Sequence, residues 1–288
     1  MKVDVVLITY NQEQYITYAL ESILFQRIDE GVDVRVLVAD DASTDKTLDI
    51  IRSYELKSTF PFVYLDSCPN MGHVKNYERA FAACDGDYTL VIEGDDYWCT
   101  PNHLSQHIKF LEEHRDCSMS VNGIILFWQD TNLYERHQEE SHKEVQYIDI
   151  RQQIMENRIG NHSSACYRTS ILHSLPSTIY GESFDDALVG ICFAQYGFIA
   201  QLTDYTTVYR KNSEGLWSGV DNKRQMEMIR CRLNANDKIF DYKYHSLFEL
   251  ALKQYEAEKQ KLRIRDFIPP VLLYIIKLLL PKALLRKL

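Results

Sequence analysis

Over roughly its first hundred residues the chain alternates short apolar runs with amphipathic segments, the pattern of a parallel α/β sheet. Residues 3–9, Asp33–Ala39, Phe62–Leu65 and Tyr88–Ile92 read as buried strands. Between them, Ile16, Ala19, Leu20, Ile23 and Leu24 recur at helical spacing. Leu48 and Ile51 mark a second helix, which Ser43 or Thr44 can cap, and residues 73–84 form a third. Open sheets of this kind place ligands at the carboxyl ends of their strands. The fourth run ends there as Val91-Ile92-Glu93-Gly94-Asp95-Asp96-Tyr97-Trp98, an apolar strand finishing in three crowded carboxylates. Such carboxylates repel one another unless a cation or hydrogen-bond donors sit among them. Hard divalent ions favour these oxygens, so the stretch predicts a metal–diphosphate site.

Downstream, Thr100-Pro101 predicts a helix start, with Thr as cap and Pro in the first turn. Residues 117–127 read as a strand, the pattern loosens beyond about residue 130, and Arg224 to Lys261 reads as helical. A chain of 288 residues, 45% hydrophobic, can bury one large core with an appendage. Its net charge of −9 excludes a nucleic-acid-binding surface over the whole protein. From Lys261 to Leu288 seven Lys/Arg face one Asp, so this tail carries +6 and the remainder −15. Seven scattered Cys without a CxxC pair, and a start without signal-peptide character, predict a reduced, cytoplasmic setting. No Gly-x-Gly-x-x-Gly follows the first strand and no Gly-Lys-Ser/Thr loop occurs, which leaves dinucleotide and P-loop readings unsupported.

Four motifs taken together resemble the GT-A-fold, family 2 glycosyltransferases. They are Val5-Val6-Leu7-Ile8-Thr9-Tyr10-Asn11, then Asp40-Asp41-Ala42-Ser43, then Asn70-Met71-Gly72 with Lys75-Asn76, and finally Glu93-Gly94-Asp95-Asp96. The resemblance covers residues 1–130 and extends toward residue 220. It implies a mostly parallel central sheet flanked by helices over residues 1–220. Within it, residues 1–130 form the donor-binding half and 131–220 the acceptor side. Residues 221–288 are left as a helical C-terminal extension.

The resemblance also implies roles. Thr9, Tyr10, Asn11, Asp40, Asp41, Lys75, Asn76, Glu93, Gly94, Asp95 and Asp96 are expected to bind a nucleotide-sugar donor, UDP-linked in the first instance. An aromatic ring such as Tyr10 can stack on a nucleobase, and a carboxylate can accept its N–H. Mn²⁺ or Mg²⁺ is expected on Asp95 and Asp96; Glu93 stands where relatives carry the first Asp, which suits a water-mediated role. Transfer would invert the anomeric centre, with Asp186 as general base and Asp185 beside it in Glu182-Ser183-Phe184-Asp185-Asp186. Trp98, Arg210 and Trp217 are expected on the acceptor side, facing a glycan or lipid-linked acceptor of surface-polysaccharide synthesis. Many relatives carry His where Asn212 stands, so a metal or phosphate contact there is in doubt.

The tail suits the inner face of the cell membrane: apolar residues bordered by Lys and Arg, too short and Pro-interrupted to span it. His103 and His107 are one helical turn apart, but nothing nearby completes a zinc set, and the surrounding Gln, Lys and Glu predict a solvated face. Two rivals remain. A sugar-nucleotide pyrophosphorylase would need a glycine-rich basic loop where Tyr10-Asn11-Gln12-Glu13 stands. A non-catalytic nucleotide-sugar-binding or membrane scaffold protein would have no use for Asp95, Asp96 and Asp186 together.

Overall fold

A computed structural model describes residues 1–66, 69–137, 144–211 and 222–266. The chain divides into two compact units, Met1–Gly219 and Val220–Leu288. The first begins with β1 (Lys2–Thr9), α1 (Ile16–Leu24), β2 (Asp33–Asp40), α2 (Thr47–Glu55), β3 (Phe62–Tyr64), α3 (His73–Ala83) and β4 (Tyr88–Glu93). β3, β2, β1 and β4 lie side by side and all parallel, as the alternation predicts. Val3, Val5, Val6 and Leu7 of β1 are wholly buried, the mark of a central strand covered on both faces. Each such side chain contributes about 1.5–3 kcal/mol on leaving water.

The rest of this unit is mixed rather than parallel. It contains β5 (Tyr97–Trp98), α4 (His103–Glu113), β6 (Cys117–Trp128), β7 (Leu133–Arg136), β8 (Gln146–Ile148), α5 (Ile150–Glu156), β9 (Ala165–Arg168), α6 (Thr169–Leu172), α7 (Asp186–Phe193) and β10 (Phe198–Lys211). Sheet order runs β3-β2-β1-β4-β9-β6-β10-β5, with β7 on β6 and β8 on β10. β9 lies antiparallel between β4 and β6. Strands as short as β7, β8 and β9 have too few residues to show a period, which is why the sequence reads as irregular there.

Several local expectations are corrected. Ser43 and Thr44 do not cap α2: the Ser43 hydroxyl donates to Asp40 instead, and the helix starts only at Thr47. α4 begins at His103 rather than behind Thr100. Its predicted solvated face is wrong for His103 and His107, which are fully buried. His103 Nδ1 pairs with Thr206 Oγ1 and His107 Nδ1 with Ser120 Oγ, both at 2.7 Å. Burial keeps both imidazoles neutral, pushing His107 down to about 3.

The second unit holds α8 (Asn222–Ile239) and α9 (His245–Asp266). The stretch expected to be helical is divided in two where Asp241 and Tyr242 adopt positive φ. An Arg230–Glu256 ion pair at 2.5 Å and stacked Phe240 and Phe248 rings join the two helices. No helix among the described residues is long and apolar enough to cross a membrane. Trp217 and all but the first six residues of the basic tail (residues 261–288) lie outside the described residues.

Candidate active site

Three strand ends meet at one edge of the sheet, because Thr9 pairs with Asp40 and Ile8 with Glu93 in register. Asn11 turns the chain away from β1 in the left-handed region, φ 50°. Its N–H donates to Ser43 Oγ and its Oδ1 accepts from Thr44 N–H, both at 2.8 Å, locking the loop after β1 to the loop after β2. Ala42 also holds a positive φ, 61°, a conformation that non-glycine residues adopt where the surroundings over-determine it.

Asp40 and Asp41 are buried and already engaged. Asp40 accepts from Ser43 N and Oγ, at 2.9 and 2.5 Å. Asp41 accepts from the N–H groups of Met71 and Gly72 at 2.8 Å, fixing the turn that leads into α3. Their side chains therefore shape this wall, and Tyr10, 46% exposed, is the group beside it that faces solvent. Asn76 is buried and structural: Nδ2 donates to Ala39 O at 2.7 Å and Oδ1 accepts from Arg79. Lys75 points to the surface, paired with Glu78 at 2.5 Å. The cation behind the Asp40–Asp41 pair is Arg79, whose Nη2 donates to Asp40 O at 2.7 Å. Sequence reading missed Arg79, although it lies one helical turn beyond Asn76.

The end of β4 carries the acidic corner. Burial, then Asp95, then Asp186 push the Glu93 carboxyl up to about 7, against a 2.9 Å hydrogen bond from Tyr77 Oη. Asp95 is raised by burial, which Arg210 and Gln12 partly oppose. Asp96 is fully buried and raised further by burial, Asp95 and Glu93. Its Oδ2 accepts from Asn161 Nδ2 at 2.8 Å and its Oδ1 from Arg210 N at 3.0 Å. Gly94 permits this crowding, since a Cβ there would meet Ile16 Cδ1 at 2.8 Å and Thr9 Oγ1 at 3.0 Å.

Asp186 opens α7, and its charge is the last of the causes that raise Glu93. Asp185 caps the same helix, accepting from Leu188 N–H at 2.8 Å. Two acceptor-side expectations change. Trp98 is 2% exposed, donates Nε1–H to Ser163 O at 2.8 Å and stacks on His103, so it is a core residue. Arg210 is buried and straps the corner, its Nε donating to Asp95 O at 3.0 Å and its Nη1 to Gln129 Oε1 at 2.6 Å. Tyr77, Asn161 and Ser163 also hold the corner and carry no sequence signal, because they come from separate elements.

The donor set fits a hard divalent cation. All three carboxylates are pushed upward, Glu93 and Asp96 partly by the charge of Asp95, and a bound cation would relieve that repulsion. Among the described residues no three metal-ligating side chains are already gathered. That suits an ion held by one or two carboxylates together with substrate phosphates. Both Asp96 oxygens are engaged within the chain, whereas Asp95 and Glu93 are half-buried.

The family model described as Glycosyl transferase family 2 matches residues 4–175. An uncharacterized protein of Mycobacterium tuberculosis is 29% identical over 222 residues, 77% of this chain and 62% of its own length. The chain thus spans under two thirds of that relative. Poly(ribitol-phosphate) β-N-acetylglucosaminyltransferase TarS of Staphylococcus aureus is 33% identical over 114 residues, 40% of this chain and 19% of its own. The crystal structure of TarS residues 1–349 with UDP-GlcNAc superposes with a TM-score of 0.60 at 24% identity, covering 83% of this chain and 70% of that one. The mannosyltransferase PcManGT from Pyrobaculum calidifontis, with GDP-Man and Mn²⁺, gives 0.57 at 15% identity over 98% and 81%. At these identities the two structures show the shared fold.

Proposed function

The chain belongs to glycosyl transferase family 2, and from that premise we propose that it transfers a sugar from a UDP-linked donor, with inversion, to a hydroxyl of a glycan or lipid-linked acceptor. The observation that carries this reading is the set of Glu93, Asp95 and Asp96 at the carboxyl edge of the sheet, all pushed upward, with Asp186 adding its charge to Glu93. Asp95 is assigned to Mn²⁺ or Mg²⁺, while Asp96, tied to Asn161 and Arg210, fixes the loop that presents it. When bound, the ion acts as a Lewis acid toward the charge that develops on the departing diphosphate.

Asp186 takes the proton of the attacking hydroxyl, and Asp185 holds the helix start that presents it. The hydrogen bond from Tyr77 fixes one oxygen of Glu93. Thr9, Tyr10, Asn11, Asp40 and Asp41 form the nucleoside wall, with Tyr10 as the exposed ring for the base. UDP is favoured because the TarS structure holds UDP-GlcNAc; a bound Mn²⁺ in the mannosyltransferase supports the metal. Names among the relatives, including a teichuronic acid glycosyltransferase of Bacillus subtilis, favour a surface-polysaccharide setting. Residues 261–288 would hold the enzyme at the inner membrane face through apolar and basic side chains.

UDP release from UDP-GlcNAc by the full chain tests the reading. Release with Mn²⁺ that a chelator abolishes is expected. Donor binding without turnover in the presence of any acceptor would favour a scaffold instead.

A further inference from the structure

We propose that a strip of tyrosines leading from the acidic corner to the β6–β7 hairpin is a platform for a neutral glycan chain, so that the acceptor is an oligosaccharide rather than a small hydroxyl compound. The proposal rests on the transferase reading and names its acceptor class. Tyr18 of α1 lies 5.8 Å, ring centre to ring centre, from Tyr97 of β5. The Tyr97 hydroxyl is 3.4 Å from that of Tyr134 on β7, and Tyr134 stacks on Phe127 of β6 at 4.5 Å. Beneath them the Arg210 guanidinium packs over Tyr15, Tyr18 and Phe127 at 4.9, 5.0 and 5.1 Å. The same Arg210 donates to the Asp95 carbonyl, so the strip is continuous with the loop assigned to the donor diphosphate.

Three separate elements thus align rings at the surface, with Tyr18 52% and Tyr134 57% exposed. Core packing does not require this. A tyrosine offers an apolar face with a polar hydroxyl at its edge. A pyranose offers the complement, C–H groups on one face and hydroxyls at its rim. Charge selects among glycans: Arg210, the cation within the strip, is 6% exposed, and its Nε and Nη1 are engaged by Asp95 O and Gln129. Among the described residues the exposed cation on β7, Arg136, packs over the Tyr205 ring at 5.0 Å, off the rings of the strip, which favours a neutral chain.

The test is binding of the full chain to an array running from monosaccharides to neutral and phosphate-bearing oligosaccharides. Wild type should retain neutral oligosaccharides well above monosaccharides. Replacing Tyr18 and Tyr134 together by Ala should weaken that binding about tenfold, and Phe at both positions should restore most of it. The proposal falls if wild type binds no neutral oligosaccharide, prefers phosphate-bearing ones, or binds unchanged in the alanine pair. Should that pair not fold, oxidative footprinting of wild type decides: a bound neutral oligosaccharide must shield Tyr18 and Tyr134, and unshielded rings overturn the platform. UDP release from UDP-GlcNAc is measured separately; its failure would overturn the transferase reading and leave the glycan-binding result to stand or fall alone.

Discussion

Carboxylates gather at both edges of the parallel half-sheet, and the protein treats the two sets oppositely. At the amino edge Asp4 is wholly buried yet accepts from Arg35 Nε at 2.5 Å and from the N–H groups of Asp85 and Gly86 at 2.7 and 2.8 Å. Asp85 is held below the usual carboxylate range by the hydrogen bond from Lys2, with help from Arg35. At the carboxyl edge Glu93, Asp95 and Asp96 are all pushed upward. Identical chemistry therefore serves two ends. Acids answered by cations tie elements together, whereas acids left to repel one another are kept for a ligand that brings the missing charge.

This contrast orders what substitutions should do. Asp95→Asn should lower transfer on the order of a thousandfold, through loss of metal-assisted leaving-group stabilisation, in steady-state turnover with Mn²⁺. A near-normal rate would move the metal elsewhere. Asp186→Asn should cost about a hundredfold or more in turnover while UDP affinity stays near wild type. Joint loss of both would make Asp186 part of the donor site instead.

At the opposite edge Arg35→Ala should leave UDP affinity alone and lower stability by about 2 kcal/mol in denaturant unfolding. A buried, singly deserted carboxylate costs more, but Asp4 keeps two backbone donors. The smallest effect is in pH dependence. Folding raises Glu93 to about 7, so the folded chain keeps a proton that the unfolded chain releases. That stabilisation is complete below the ordinary glutamate range and is lost as pH rises through about 7. Glu93→Gln does not titrate, so relative to wild type it should gain stability between about pH 5 and about pH 8. A gap in Tm independent of pH would contradict the raised carboxyl.

Most of the parallel half was legible because its strands, β3 apart, and its helices are long enough to show their periods, and because Asp40-Asp41 and Glu93-Gly94-Asp95-Asp96 stand at strand ends. The residues that support them were not. Arg79, Asn161 and Arg210 act across 39, 65 and 114 positions of chain, a distance no local pattern encodes. His103 and His107 misled for a related reason: polar neighbours on α4 suggested solvent, but β6 and β10 close over that face with Ser120 and Thr206 as partners. Trp98 likewise is expected on the acceptor side, and its burial, its stacking on His103 and its bond to the Ser163 carbonyl make it core.

Calorimetric titration of UDP into the full chain, with Mn²⁺ and then with chelator, asks whether the uncompensated acids at Asp95 await a cation. Binding that needs Mn²⁺ in wild type and disappears in Asp95→Asn is the predicted result. Equal UDP affinity with and without the metal, or in the variant, would contradict it.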